Sequence, residues 1–77
     1  MLHPENWIRI TPQLRALIAE AIQHVGSKRY LGRRLGCLGA HPEQTVNSLL
    51  HSQRHMHVHQ YERLLQILGY PEKWGLE

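Results

Sequence analysis

Residues 27–50, with the sequence SKRYLGRRLGCLGAHPEQTVNSLL, decide the fold of this chain. Ser27 is a favourable N-cap for a short helix that runs to about residue 35, with two leucines four residues apart on one face. A glycine-containing turn follows, and Pro42 then occupies the first position of a second short helix. The stretch therefore predicts two short helices joined by a turn. Gly32, inside the first of them, favours a close approach of another helix, and simple tolerance of a glycine at this position is the alternative interpretation.

Amphipathic helices flank this pair. Thr11-Pro12 begins a helix over about residues 13–25, whose apolar side chains recur in steps of three and four. A fourth helix is predicted over residues 58–68, where Gly69 ends it, and the tail adds a last turn through Trp74. The sequence shows no strand pattern. The expected fold class is therefore all-α, a compact domain of four or five helices.

With 77 residues, the chain has room for one small domain. We divide it into an N-terminal arm over residues 1–10, a helical domain over residues 11–70 and a C-terminal tail over residues 71–77. Residues 1–7 lack the basic start and apolar run of a signal peptide, and no stretch approaches the roughly 18 apolar residues of a membrane span. We therefore expect a cytoplasmic protein with no membrane partner.

Positive charge is concentrated in the first short helix. The whole chain has a formal net charge of +3 at pH 7. No acid lies between Glu20 and Glu43, and the lysines and arginines of that segment are Lys28, Arg29, Arg33 and Arg34. A basic patch on a small domain indicates an acidic partner, most often nucleic acid, although a solvated basic surface is the alternative interpretation.

The second short helix carries a polar stripe at helical spacing, formed by Gln44, Asn47, Ser48 and His51. Cations bind phosphates without reading sequence, whereas amide side chains can match the donors and acceptors of a base edge in the major groove. A cationic helix followed by a helix with an amide-rich face is therefore typical of duplex DNA binding.

These stretches resemble the lambda-repressor-like, or Cro/repressor-type, helix-turn-helix family over about residues 13–70. Residues 27–36, SKRYLGRRLG, are similar to the family's second helix, whose common form is S-Q-x-x-L-A-x-x-L-G. Residues 45–49, TVNSL, resemble its recognition helix, and residues 61–70, YERLLQILGY, resemble the helix that follows.

The chain departs from the family pattern in three places. Lys28 stands where the family usually has Gln, and Gly32 stands where it usually has Ala, a small residue at the crossing of the helices. Val46, at the buried aliphatic position, comes ten residues after Gly36, which makes the turn about four residues longer than the family's. The longer turn affects the angle at which the recognition helix is presented.

Residue pattern and resemblance together predict sequence-specific binding of double-stranded DNA. The resemblance alone implies a transcriptional regulator, a repressor of phage, plasmid or bacterial origin, and we expect it to act as a homodimer because tight binding commonly needs two half-sites. The predicted base-reading residues are Gln44, Thr45, Asn47, Ser48 and His51. The predicted phosphate-binding residues are Ser27, Lys28, Arg29, Arg33, Arg34, Arg54 and His55. The alternative is a helical module that binds another protein, such as an antitoxin or an inhibitor.

Four histidines lie within nine residues: His51, His55, His57 and His59. Imidazole is a common metal ligand, but no carboxylate or cysteine lies inside this cluster, and all-histidine structural zinc sites are uncommon. We therefore expect no metal and no cofactor. The other interpretations are a polar loop over residues 52–57 with a helix cap, or donors that face the DNA backbone.

Catalysis has little support in the sequence. The chain has no aspartate, no H-E-x-x-H motif and no glycine-rich phosphate loop, so we expect a protein that is not an enzyme. The single cysteine, Cys37, is interpreted as a small buried apolar residue, or alternatively as a redox-sensing thiol whose pKa is lowered by Arg33 and Arg34.

The apolar residues near the two ends of the chain have two interpretations. They are Trp7, Tyr70, Trp74 and Leu76. They either cap the core or form a dimer surface.

Overall fold

The computed structural model describes residues 6–37 and 39–70. In these two ranges, four helices and two short strands follow one another along the chain. They are β1 (Trp7–Arg9), α1 (Pro12–Val25), α2 (Lys28–Arg34), α3 (Pro42–His51), β2 (His55–His57) and α4 (Val58–Leu68). The mostly helical class expected from the sequence is confirmed. The predicted last turn through Trp74 lies outside the described residues.

The helix boundaries follow from local capping. Thr11 Oγ1 accepts a hydrogen bond from the Leu14 backbone N–H at 3.1 Å, and Ser27 Oγ accepts one from Tyr30 N–H at the same distance. Gly26, which separates α1 from α2, has a φ of 104°, a left-handed conformation that favours glycine. These caps provide partners for backbone groups that a helix end leaves without one, so α1 and α2 begin where their hydroxyl residues lie.

The prediction that the chain contains no strand is wrong. β1 and β2 pair antiparallel, with Trp7 opposite His57 and Arg9 opposite His55. The loop predicted over residues 52–57 is therefore a strand in its second half. Three-residue strands are too short to give a recognisable alternation, and their pairing joins segments that are far apart in the sequence.

The core lies between the helices and under the small sheet. Its buried side chains come from all four helices, from β2 and from single residues that follow β1 and α2. They are Ile10, Leu14, Leu17, Ile18, Ala21, Leu31, Leu35, Val46, Leu49, Met56, Tyr61, Leu64 and Leu65. No polar or charged residue is buried within residues 6–37 and 39–70. Apolar burial, at about 1.5–3 kcal/mol for each large aliphatic side chain, is therefore what holds the described fold together.

At Gly32, α2 lies very close to the first residue of α3. A Cβ atom added there would lie 2.6 Å from the Pro42 carbonyl oxygen and 2.7 Å from Pro42 Cβ. Real Cβ atoms do not come that near to backbone, so the first residue of α3 occupies space that only glycine leaves open. The close approach predicted from the sequence is confirmed, and it fixes the start of α3 against the middle of α2.

Both ends of the described chain contact its body. The Trp7 ring meets the His57 ring edge-on, with 5.2 Å between ring centroids. At the other end, the Tyr70 hydroxyl donates to Glu20 Oε2 at 2.9 Å, and this hydrogen bond raises the pKa of Tyr70. Trp74 and Leu76, the other two apolar residues considered for a dimer surface, lie outside the described residues.

Of the helices in residues 6–37 and 39–70, none has the length and apolar character that a bilayer span requires.

Candidate nucleic-acid interface

The outward face of α3 is formed largely by residues from the polar stripe. Gln44, Asn47 and His51 are exposed, whereas Ser48 is half-buried. On the opposite side of the same helix, Val46 and Leu49 are fully buried in the core. Their burial fixes the rotation of α3 about its axis, so the three exposed side chains are held on the surface one or two turns apart.

Thr45, the fifth predicted base-reading residue, is half-buried and lies beside the turn that precedes α3. Its hydroxyl is hydrogen-bonded to the thiol of Cys37. Burial raises the pKa of Cys37, and the hydrogen bond from Thr45 acts in the opposite direction with a smaller effect. The thiol is therefore protonated at neutral pH, which does not fit the lowered pKa that a redox-sensing role required.

The cations of α2 lie on its exposed surface. Arg29, Arg33 and Arg34 are exposed and Lys28 is half-buried. The Arg34 guanidinium lies 5.8 Å from the centroid of the Tyr30 ring, at cation–π distance. Arg33 has no side-chain hydrogen bond or ion pair to any residue in the ranges 6–37 and 39–70, so within them its charge is directed to solvent.

Two contacts join the cations of α2 to the outward face of α3. The Lys28 ammonium donates to Asn47 Oδ1 at 2.6 Å. Arg29 Nη1 lies 3.3 Å from Glu43 Oε1 and donates to the Ala40 carbonyl at 3.2 Å. The N-terminal turn of α2 and the N-terminal half of α3 therefore form one continuous surface, although the turn between them is long.

Glu43 is an acidic residue within this surface. Its carboxylate accepts a hydrogen bond from its own backbone N–H, which together with His41 and Arg29 lowers the pKa of Glu43. The carboxylate is thus ionised at neutral pH. Because Arg29 stands beside it, its negative charge is offset at the point where α3 begins, and a nearby anion would meet less repulsion there.

Arg54 and His55 follow the C-terminal end of α3, and the side chains of both are exposed. The cations of α2, in contrast, lie beside the N-terminal half of α3. The segment is held by its backbone: Ile10 N–H donates to the Arg54 carbonyl at 2.8 Å, and Gln53 Nε2 donates to the His55 carbonyl at 2.7 Å. A positive side chain is thereby placed near each end of α3.

The histidines around β2 have a structural role at the start of α4. His57 is the N-cap of α4, and its Nδ1 accepts a hydrogen bond from the His59 backbone N–H at 3.1 Å. The two rings stack with 4.9 Å between centroids. The helix-cap interpretation is confirmed for His57. In the described part of the chain, no three histidine, cysteine or acidic side chains converge as a metal site.

Arg15 holds the C-terminal end of α3 from the side opposite its exposed face, and no motif or spacing in the sequence indicates this role. From α1, its guanidinium donates to the Leu49 carbonyl at 2.8 Å and to the Gln53 carbonyl at 2.9 Å. These carbonyls lie in the last turn of α3 and just beyond it, where backbone acceptors have no helical partner. The arginine therefore fixes the C-terminal end of α3 to α1. Helical periodicity gives no signal for such a contact.

Fold and surface together define a small, mostly helical domain in which a basic helix is packed against a helix with an exposed polar face. Comparisons with models of known protein families, with curated proteins and with solved structures give no significant match to this chain.

Proposed function

We propose that this protein binds double-stranded DNA in a sequence-specific manner through α2 and α3, as a lambda-repressor-like helix-turn-helix domain. In this proposal it is a cytoplasmic transcriptional regulator, a repressor, with no catalytic activity and no cofactor. The observation that carries the proposal is the continuity of the surface at Lys28 and Asn47. There, a cationic helix meets the exposed polar face of the next helix.

The chemistry of this surface matches the two components of DNA recognition. Arg33 and Arg34 supply charge that is available to phosphates, which determines affinity and its dependence on salt. Gln44, Asn47 and His51 supply donors and acceptors on one helix face, and the major groove of B-DNA is wide enough to admit a helix. Ser27 and Arg54 flank this face and are assigned to backbone contacts.

Phosphate contacts and base contacts should respond differently to substitution. Arg33→Ala should weaken binding to every duplex and reduce the slope of log affinity against log salt by about one unit, because one fewer counterion is released. Gln44→Ala should leave the slope unchanged and cost about 1–3 kcal/mol on the preferred site only. The measurement is a salt titration of each variant on a duplex selected from a random pool and on a scrambled duplex.

The same titration tests the proposal as a whole. If the parent protein enriches no duplex and binds none with a salt-dependent affinity, α2 and α3 do not form a DNA-binding surface. Glu62→Gln is a suitable control, because Glu62 is exposed on α4 and its contact is with His59 on the same helix. That variant should bind the selected duplex with the same preference as the parent.

A second candidate function is a helical module that binds an acidic protein partner, such as an inhibitor or an antitoxin. The exposed Tyr30 favours it, since this residue is 52% exposed and lies beside Arg29, Arg33 and Arg34. Tyrosine and arginine are enriched among residues that dominate protein interfaces. Absence of duplex binding together with capture of an acidic protein through Tyr30 would favour this function over the first.

We also propose that the protein acts as a homodimer. A helix-turn-helix domain of this size reads only a few base pairs, and tight binding commonly requires two half-sites about one helical turn, ~34 Å, apart. The selected duplex should therefore contain an inverted repeat. Light scattering of the protein, free and bound to that duplex, checks the stoichiometry, and a single protomer in both states would contradict the dimer.

A further inference from the structure

We infer that Lys28 and Asn47 form one recognition unit that selects a guanine, with Lys28 as the residue that positions the amide of Asn47. The inference rests on the proposed function and adds to it the base that this part of α3 prefers. It assigns Lys28 a role other than the simple phosphate contact expected from the sequence.

The hydrogen bond between these residues fixes the orientation of the amide. The Lys28 ammonium lies 2.6 Å from Asn47 Oδ1, a short contact for a charge-assisted hydrogen bond. An ammonium can only donate, so its partner must be the amide oxygen and not the amide nitrogen. The Asn47 amide therefore has its acceptor bound to Lys28, and its Nδ2 donors remain for a ligand.

The resulting unit presents donors. Nδ2 of Asn47 carries two hydrogens, and the ammonium of Lys28 keeps two more beyond the one given to Oδ1. Asn47 is exposed and Lys28 is half-buried, so a ligand that docks on α2 and α3 can reach the donors of both residues. Glu43, an acceptor one turn earlier on α3, is held by Arg29 and by its own backbone N–H.

A donor pair matches one base edge in the major groove better than the others. Guanine presents two adjacent acceptors there, N7 and O6, whereas thymine presents O4 alone, next to a methyl group. Adenine presents the N7 acceptor beside the N6 amino group, which is a donor. To bind Asn47, that amino group would have to share Oδ1 with the ammonium of Lys28. An asparagine with both amide groups free prefers adenine, so the Lys28 contact changes the expected preference from adenine to guanine.

The test uses the full chain and the duplex selected from a random pool, with each base pair replaced in turn. For the parent, replacing one guanine by adenine should weaken binding about 5- to 100-fold. In Lys28→Met, which keeps the aliphatic stem but has no donor, that ratio should fall to near one or invert in favour of adenine.

Arg33→Met is the matched control, because it also removes one cation from α2, at a position whose side chain makes no hydrogen bond or ion pair to α3 among the described residues. It should lower affinity for both duplexes and leave the guanine-to-adenine ratio unchanged. If Lys28→Met behaves in the same way as Arg33→Met, Lys28 is only a source of charge and the inference is wrong.

A second variant tests the unit from the other side. Asn47→Asp keeps an oxygen acceptor for Lys28 but replaces the Nδ2 donors with a second acceptor, so preference at the affected pair should move from guanine toward cytosine, whose N4 amino group donates. An unchanged guanine preference would overturn the inference. Failure of the parent to select any duplex would instead count against the proposed function itself, so the two failures are distinguishable.

Discussion

Replacement of Gly32 by alanine should lower the free energy of unfolding by about 2 kcal/mol, although alanine is the better helix former by about 1 kcal/mol. The added Cβ would meet the carbonyl oxygen and the Cβ of Pro42 at 2.6 and 2.7 Å. Both are at the start of α3, and neither belongs to a flexible side chain that can move aside. The two helices must therefore separate, which loosens the packing of Leu31 and Val46 in the core.

Urea or thermal unfolding followed by circular dichroism measures this effect, and a loss of about 2 kcal/mol corresponds to a fall in Tm of roughly 10 °C for a domain of this size. Gly39→Ala is the matched control, because a Cβ at Gly39 meets no atom within 4 Å. If the Gly32→Ala protein is as stable as the parent, the start of α3 can shift away from α2 at no cost in free energy, and the prediction is wrong.

The same substitution links the fold to the proposed site. Separation of α2 from α3 moves Lys28 away from Asn47, whose 2.6 Å contact spans the two helices. We therefore expect Gly32→Ala to lose preference for the selected duplex at temperatures where it is still folded. If the Gly32→Ala protein unfolds at lower temperature but keeps the parent's preference while it is folded, the loss of stability does not disturb the contact between Lys28 and Asn47. That result would contradict this prediction.

Local signals in the sequence predicted the helical part of the fold well. Thr11 and Ser27 were identified as N-caps, and the structure gives both hydroxyls the expected backbone hydrogen bond. Gly69 is expected to end the fourth helix, and it adopts a positive φ of 75° there. These features depend on residues within one helical turn of each other, so the sequence alone contains the necessary information.

Contacts between distant segments could not be predicted in this way. The pairing of Trp7–Arg9 with His55–His57 joins two three-residue strands that have no alternation of their own. The hydrogen bond between Lys28 and Asn47 depends on how the long turn between α2 and α3 folds back, and no helical period encodes it. For the same reason, the outward stripe of α3 was predictable, but the engagement of Asn47 by a lysine was not.

Removal of the guanidinium of Arg15 should lower stability by about 2–3 kcal/mol and should also weaken the proposed recognition of DNA. Its two hydrogen bonds, to the Leu49 and Gln53 carbonyls, are 2.8 and 2.9 Å long. Hydrogen bonds that involve a charged group contribute about 1.5–3 kcal/mol each, and part of the loss here is recovered because water can reach the half-buried site. A cation at the C-terminal end of α3 is also favoured by the helix dipole.

Arg15→Met tests this effect, since methionine keeps an apolar stem of similar reach but cannot donate. Arg15→Lys is the conservative variant: its ammonium keeps the charge near the end of α3 but lacks the planar fork that serves both carbonyls. We expect the lysine variant to fall between the parent and Arg15→Met in urea unfolding. Amide hydrogen exchange should be faster just after the last turn of α3, at Ser52 and Gln53, whose N–H groups both donate to the Ser48 carbonyl. If Arg15→Met unfolds at the same urea concentration as the parent and exchange at Ser52 and Gln53 is unchanged, the end of α3 is held by Leu49 packing alone.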